Sequence, residues 1–129
     1  MKIEIEHIAL WTNDLERLRS FYNTYFEAKY SQKYRNEKKR FESYFLSFSN
    51  STRIEIMSTP QLSPQWEQQN RIGISHFAFR VGSKENVVLL TQKIKDAGYP
   101  VLSEPRMTGD GYYESVILDP DNNRIEIVA

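Results

Sequence analysis

Near the end of the 129-residue chain runs Asp119-Pro-Asp-Asn-Asn-Arg-Ile-Glu-Ile-Val128, a tight turn followed by a strand. Asp and Asn tolerate the left-handed conformations that a tight turn needs, and Pro120 presets φ at its first position. Arg124 to Val128 then alternate polar and branched apolar residues, the period-two pattern of a strand with one buried face. Ile125 and Ile127 share that face; Arg124, Glu126 and Val128 share the other. A single glutamate on a strand ordinarily faces water. The same four letters, however, occur once before, at Arg53-Ile54-Glu55-Ile56.

A repeat changes the reading of everything it contains. Glu55 and Glu126 stand 71 residues apart, and the chain's two histidines, His7 and His76, stand 69 apart. Each histidine lies in a strand-like run, Ile5-Glu6-His7-Ile8-Ala9-Leu10 and Ile74-Ser75-His76-Phe77-Ala78-Phe79, with alanine two residues on. His7 to Glu55 spans 48 residues and His76 to Glu126 spans 50, so both halves carry the same pair at nearly the same spacing. The expected organisation is therefore α+β: a first β-α-β-β-β module over 1–58, a linker over 59–71 and a second such module over 72–129.

The first module is expected to open with a strand at 2–11, with Ile5, His7, Ala9 and Trp11 on one face. Asn13 or Asp14 can cap a helix to Phe26, whose Leu15, Leu18, Phe21 or Tyr22, and Tyr25 recur on the side that packs on Ile8. Strands follow at 28–34, 41–48 and 53–57, with the charged run 35–40 as an exposed turn between the first two. In the second module the pattern gives a strand at 73–81 and a helix over 84–97. Ser83 caps that helix, Val87, Leu90, Ile94 and Ala97 recur along it, and Gly98 stops it. A short strand at 100–104, a loop at 107–111, a strand at 113–118 and a last strand at 124–128 complete it.

Composition narrows the function. Seventeen basic and seventeen acidic residues cancel and form no basic stripe, which argues against nucleic acid or an anionic membrane as partner. The absence of cysteine excludes disulfides, thiolate ligands and a thiol nucleophile. Met1 to Leu10 alternates charge with isoleucine, unlike a signal or transit peptide, and no apolar run reaches the length of a membrane span. The expectation is a soluble cytoplasmic protein.

In both modules the histidine and glutamate lie on strands whose opposite face is apolar, so they project away from the helices. If all four converge, two imidazole nitrogens and two carboxylates can surround one divalent cation. Nitrogen and oxygen donors without sulfur suit zinc, nickel, cobalt, manganese or iron. Trp11 and Arg80 stand four residues after each histidine and are expected to line the same cavity. Arg80 can hold a ligand carboxylate or phosphate, or pair with a neighbouring glutamate. Tyr44, Phe45, Tyr112 and Tyr113 are candidate aromatic walls.

The paired units, the openings Glu6-His7-Ile8-Ala9-Leu10 and Ser75-His76-Phe77-Ala78-Phe79, the Phe21-Tyr22 pair and the closing Asp119 to Glu126 resemble the vicinal oxygen chelate superfamily. That superfamily takes in glyoxalases, bleomycin resistance proteins and dioxygenases, and the resemblance is strongest to its glyoxalase I branch. It implies a curved eight-stranded sheet forming a cavity with the helices outside. It implies a nickel, zinc or cobalt ion held by His7, Glu55, His76 and Glu126, and often a homodimer that shares the cavity. It implies further that Glu126, with Glu55 as its counterpart, moves a proton beside a carbonyl while the ion chelates the enediolate, as in a lactoylglutathione lyase. Trp11 and Thr59 depart from that branch, which carries arginine and asparagine at those places for glutathione. Another metal-dependent enzyme of the superfamily (an epimerase, a dioxygenase or a thiol transferase) and a non-enzymatic drug binder are the other readings.

Overall fold

The computed structural model describes residues 1–63 and 72–129. The chain divides into two compact units, Met1–Gln65 and Trp66–Ala129. Of the expected linker 59–71, residues 64–71 lie outside the described residues.

The first unit contains β1 (His7–Trp11), α1 (Leu15–Phe26), β2 (Lys29–Tyr30), β3 (Tyr34–Asn36), β4 (Phe41–Ser47) and β5 (Arg53–Ser58). Its sheet runs β1-β5-β4-β2, with β3 also on β4. β1 and β5 are parallel, and every other ladder is antiparallel. The second unit contains β6 (Phe77–Arg80), α2 (Lys84–Asp96), β7 (Val101–Met107), β8 (Tyr113–Leu118) and β9 (Arg124–Val128). Its sheet runs β6-β9-β8-β7, again with the first and last strands parallel. Among the described residues the architecture is α+β, two helices and two mixed sheets of five and four strands.

Local chemistry explains the helix bounds. Asp14 caps α1 by accepting from Arg17 N at 3.0 Å, and Ser83 caps α2 by accepting from Asn86 N at 3.1 Å. α1 stops where Glu27 turns left-handed at φ 55°, and α2 gives way to Gly98 at φ 90°. α1 lies on β4 and β5, burying Leu15, Leu18, Phe21 and Tyr22 against Leu46, Ile54 and Ile56. α2 lies on β7, β8 and β9, above Ile117, Ile125 and Ile127. Removing such a side chain wholly from water stabilises by roughly 1.5–3 kcal/mol. Each sheet therefore has one face sealed by its own helix and one face, of mixed polar and apolar residues, that carries the glutamate.

The structure corrects several expected bounds. The strand expected at 2–11 begins at His7 and the one at 73–81 is confined to Phe77–Arg80, because the ladders with β5 and β9 supply partners only there. The strand expected at 28–34 is broken into β2 and β3, so the first unit has five strands and the described residues nine in all, against the eight expected. The strand expected at 100–104 continues to Met107, shortening the loop expected at 107–111. It tolerates Pro105 because β7 is an edge strand whose ladder shifts register between Ser103 and Arg106. In α2 the buried stripe passes through Thr91 instead of Leu90. Thr91 Oγ1 donates or accepts at 2.6 Å with Ser115 Oγ and reaches the Val87 carbonyl at 2.6 Å, a polar pair satisfied inside the core.

The turn before β9 is built on Asp119, only 2% exposed. Its Oδ1 accepts from Asp121 N and Asn123 N, both at 2.9 Å, and its Oδ2 accepts from Asn123 Nδ2 at 2.9 Å. Asn122 supplies the left-handed residue at φ 64°. Asp119→Ala removes three acceptor contacts from a buried charge, and is expected to lower unfolding stability by about 2–3 kcal/mol. Urea denaturation measures it; a change under about 0.5 kcal/mol would show that the carboxylate does not hold the turn.

Candidate functional site

The parallel ladders position the expected ligands. Ala9 lies across from Glu55 and His7 across from Arg53 in the first unit, and Ala78 lies across from Glu126 in the second. Residues across a ladder share a face, as do residues two apart. Each histidine is thus a diagonal neighbour of its own unit's glutamate, on the face away from the helix. The small alanine beside each glutamate leaves the space between them open.

Nε2 of His7 lies 3.9 Å from Oε1 of Glu55, and Nε2 of His76 lies 3.1 Å from Oε1 of Glu126. Two donors bound to one ion at about 2.1 Å are themselves about 3.0–3.4 Å apart at tetrahedral or octahedral angles. The second pair already has a chelating separation and the first is within about half an ångström of one. Imidazole nitrogen with carboxylate oxygen is a donor set that fits zinc, nickel or cobalt. Within either unit, among the described residues, these donors stand as pairs and not in groups of three or more able to hold an ion.

Each histidine is held from behind. Nδ1 of His7 bonds to Oε2 of Glu6, whose Oε1 accepts from Arg53 Nε at 2.8 Å and from Arg53 Nη2. The Arg53 guanidinium lies 4.1 Å from the centre of the Phe45 ring, and the His7 ring meets Phe45 edge-on at 5.4 Å. The hydrogen bond with His7, and then that with Arg53, holds the Glu6 carboxyl below its ordinary pKa. Behind His76, Nδ1 shares a 3.0 Å hydrogen bond with Ser75 Oγ.

The second-unit pair opens into a cleft of about 470 Å³ lined by His76, Ala78, Arg80, Asp110, Tyr112, Glu114, Glu126 and Val128. Arg80 lines this cleft as expected, but its Nη1 donates to the Ala129 carbonyl at 2.9 Å, so the backbone and not Glu126 is its partner. Tyr113 is corrected: it lies under α2, with Lys84 Nζ 5.4 Å from its ring, and the neighbouring Tyr112 occupies the cleft. Tyr44 is likewise on the helix side, its hydroxyl donating to Glu16 at 2.9 Å, while Phe45 is on the ligand side. Trp11 is half exposed on β1 and meets Phe41 edge-on at 6.2 Å. A larger concavity of about 600 Å³, between Asn13, Arg35, Arg40 and Pro60, contains neither His7 nor Glu55.

Sequence reasoning missed Glu114. It is 7% exposed, on β8 opposite Val128 and diagonal to Glu126. Burial, and then the charge of Glu126, push its carboxyl above its ordinary pKa. The signal was available: Glu114 is an even number of residues from Val116 and Leu118, on the face opposite the helix-facing Ser115 and Ile117.

Among the described residues no helix is long and apolar enough to cross a membrane. The family model for the Glyoxalase/Bleomycin resistance protein/Dioxygenase superfamily matches residues 4–127. The protein YqjT of Bacillus subtilis (strain 168), to which no function is assigned, is 31% identical over 135 residues, covering 97% of this chain and 98% of its own. The fosfomycin resistance protein FosX from Listeria monocytogenes superposes with a TM-score of 0.78 at 22% identity, covering 100% of this chain and 94% of its own. Glyoxalase I from Zea mays superposes with a TM-score of 0.76 at 22% identity over 96% of this chain, which spans 43% of the maize chain. At such identities the two structures establish a shared fold. With a family model spanning nearly all of it, the chain belongs to the Glyoxalase/Bleomycin resistance protein/Dioxygenase superfamily.

Proposed function

We propose that this protein is a metal-dependent isomerase or lyase of the glyoxalase I type, and that His7, Glu55, His76 and Glu126 hold one divalent ion. The observation that carries the reading is the duplicated pair: each unit sets a histidine Nε2 within 3.9 Å or less of a glutamate Oε1 on its helix-free face. The ion would take one pair from each unit, from a single chain or from two protomers of a homodimer. Nickel, zinc or cobalt fits the donors. When bound, the ion draws charge from two neighbouring substrate oxygens and stabilises the negative charge that builds on them.

The chain's own residues do the proton work. Glu126 takes a proton from the carbon beside the carbonyl and returns it at the adjacent carbon, so the reaction is an isomerisation with no net loss of atoms. Glu55 is its counterpart in the first unit. Glu114 stands diagonal to Glu126 on β8, and Arg80 and Tyr112, which line the same cleft, are the groups that would face the small-molecule substrate. Trp11 fits a flat or apolar part of that substrate. Trp11 and Thr59 stand in place of thiol-binding residues, which favours a small molecule with two neighbouring oxygens other than the glutathione adduct of methylglyoxal. The second reading, another metal-using reaction of the superfamily, rests on that same departure.

Protein purified without chelator is expected to carry about one divalent ion per four-residue site by elemental analysis, and Glu126→Gln or His7→Ala to lose most of it. Wild-type protein free of metal that binds an aromatic ligand tightly would defeat the metal reading. Methylglyoxal offered with a panel of thiols separates the two enzymatic readings: turnover with one of them supports glyoxalase chemistry, and none with any removes it. Glu114 gives a test by pH. Its folded pKa is raised, so its contribution to stability is present below the unfolded pKa and lost as pH rises through the folded one. Metal-free Glu114→Gln should accordingly be more stable than wild type in urea at neutral pH and equal to it near about pH 4. Equal stability at both would mean that Glu114 ionises without penalty.

A further inference from the structure

The two histidines differ in what holds them. A carboxylate can only accept a hydrogen bond, whereas a serine hydroxyl can donate or accept. Glu6, accepting at Oε2, is satisfied only by an Nδ1–H on His7, which leaves Nε2 as a bare lone pair turned toward Glu55. Its other oxygen is clamped by Arg53 through two nitrogens, and Arg53 is fixed in turn against the Phe45 ring. Ser75 imposes no such choice on His76. The repeat thus preserves the arginine, as Arg53 and Arg124, but puts glutamate before the first histidine and serine before the second.

Resting on the metal reading above, we propose that Glu6, anchored by Arg53, is a positioning residue: it fixes the Nδ1–H tautomer of His7 and makes it the stronger of the two imidazole donors. The physical basis is general. A carboxylate behind a ligating imidazole sets ring orientation and raises the basicity of the far nitrogen, and its loss commonly weakens metal binding by about 10–100-fold. Glu6 is exposed, so replacing it leaves both cores intact.

The test has two arms. In metal-free, nitrogen-15-labelled protein at about pH 8.5, above the ordinary histidine range, wild-type His7 is expected to show a protonated Nδ1 and a bare Nε2. In Glu6→Gln, an amide that donates as well as accepts, the ring should move toward the other tautomer, and in Glu6→Ala it should do so fully. Ser75→Ala should leave His7 unchanged. A wild-type His7 protonated at Nε2, or one whose tautomer ignores Glu6, overturns the proposal. In the second arm, chelator competition with cobalt should show Glu6→Ala binding about 10–100-fold more weakly and Ser75→Ala changing by less than about threefold. Equal losses in the two variants overturn the claimed asymmetry. A wild-type chain that binds no ion removes the metal reading, while the tautomer arm still decides the hold of Glu6 on His7.

Discussion

Everything at the candidate centre depends on one constraint: in each unit the first strand pairs in parallel with the last. Residues nearly fifty apart in sequence become neighbours across a ladder because a helix carries the chain over one face and antiparallel strands bring it back beside the first strand. The register then does the rest. With Ala9 across from Glu55 and Ala78 across from Glu126, each histidine two residues earlier falls on the same face, diagonal to the carboxylate. A slip of one residue would turn Ile54, Ile56, Ile125 and Ile127 to water and the glutamates into the core. The apolar packing that stabilises each unit is therefore also what holds its histidine and glutamate in register.

The helices account for the separation of roles between faces. α1 and α2 each seal one side of a sheet, so alternation can set charged residues among apolar ones on the opposite side without exposing the core. A glutamate on that side loses part of its hydration between the alanine and the third-strand residue flanking it, Phe45 beside Glu55 and Val116 beside Glu126. Partly dehydrated carboxylates gain more from a shared cation than from a single neutral imidazole neighbour. That is the physical case for reading the pairs as ligands and not as two isolated ion pairs.

The repeat made the architecture and the two His–Glu pairs legible from sequence, because a buried strand face imposes period two and a repeat imposes it twice. What sequence did not disclose falls into two kinds. Residues 1–6 and 72–76 carry alternating patterns yet form no strand, since alternation says which face a residue would occupy and not whether a partner is present. Thr91 and Ser115 form a buried pair that sequence does not announce, since only the fold shows that each hydroxyl meets the other. Tyr113 and Tyr112 are adjacent aromatics of equal plausibility, and only their phase relative to Ser115 assigns Tyr113 to the helix side. Glu114 was overlooked although the same phase puts it on the ligand side.

The departures from the repeat are as informative as the repeat itself. At the position of Glu114 the first unit carries Ser43: Ser43 lies across from Met57 as Glu114 lies across from Val128. Both are buried, but only the second can add a negative charge beside its glutamate. At the position before the histidine the asymmetry is reversed, Glu6 in the first unit against Ser75 in the second. Acidic support thus stands behind the histidine in one unit and beside the glutamate in the other. A carboxylate behind an imidazole sets its ring orientation, whereas burial and the charge of Glu126 hold the Glu114 carboxyl above its ordinary pKa. The two halves thus share the His–Glu pair and differ in which member of it has an acidic neighbour, the histidine in the first and the glutamate in the second.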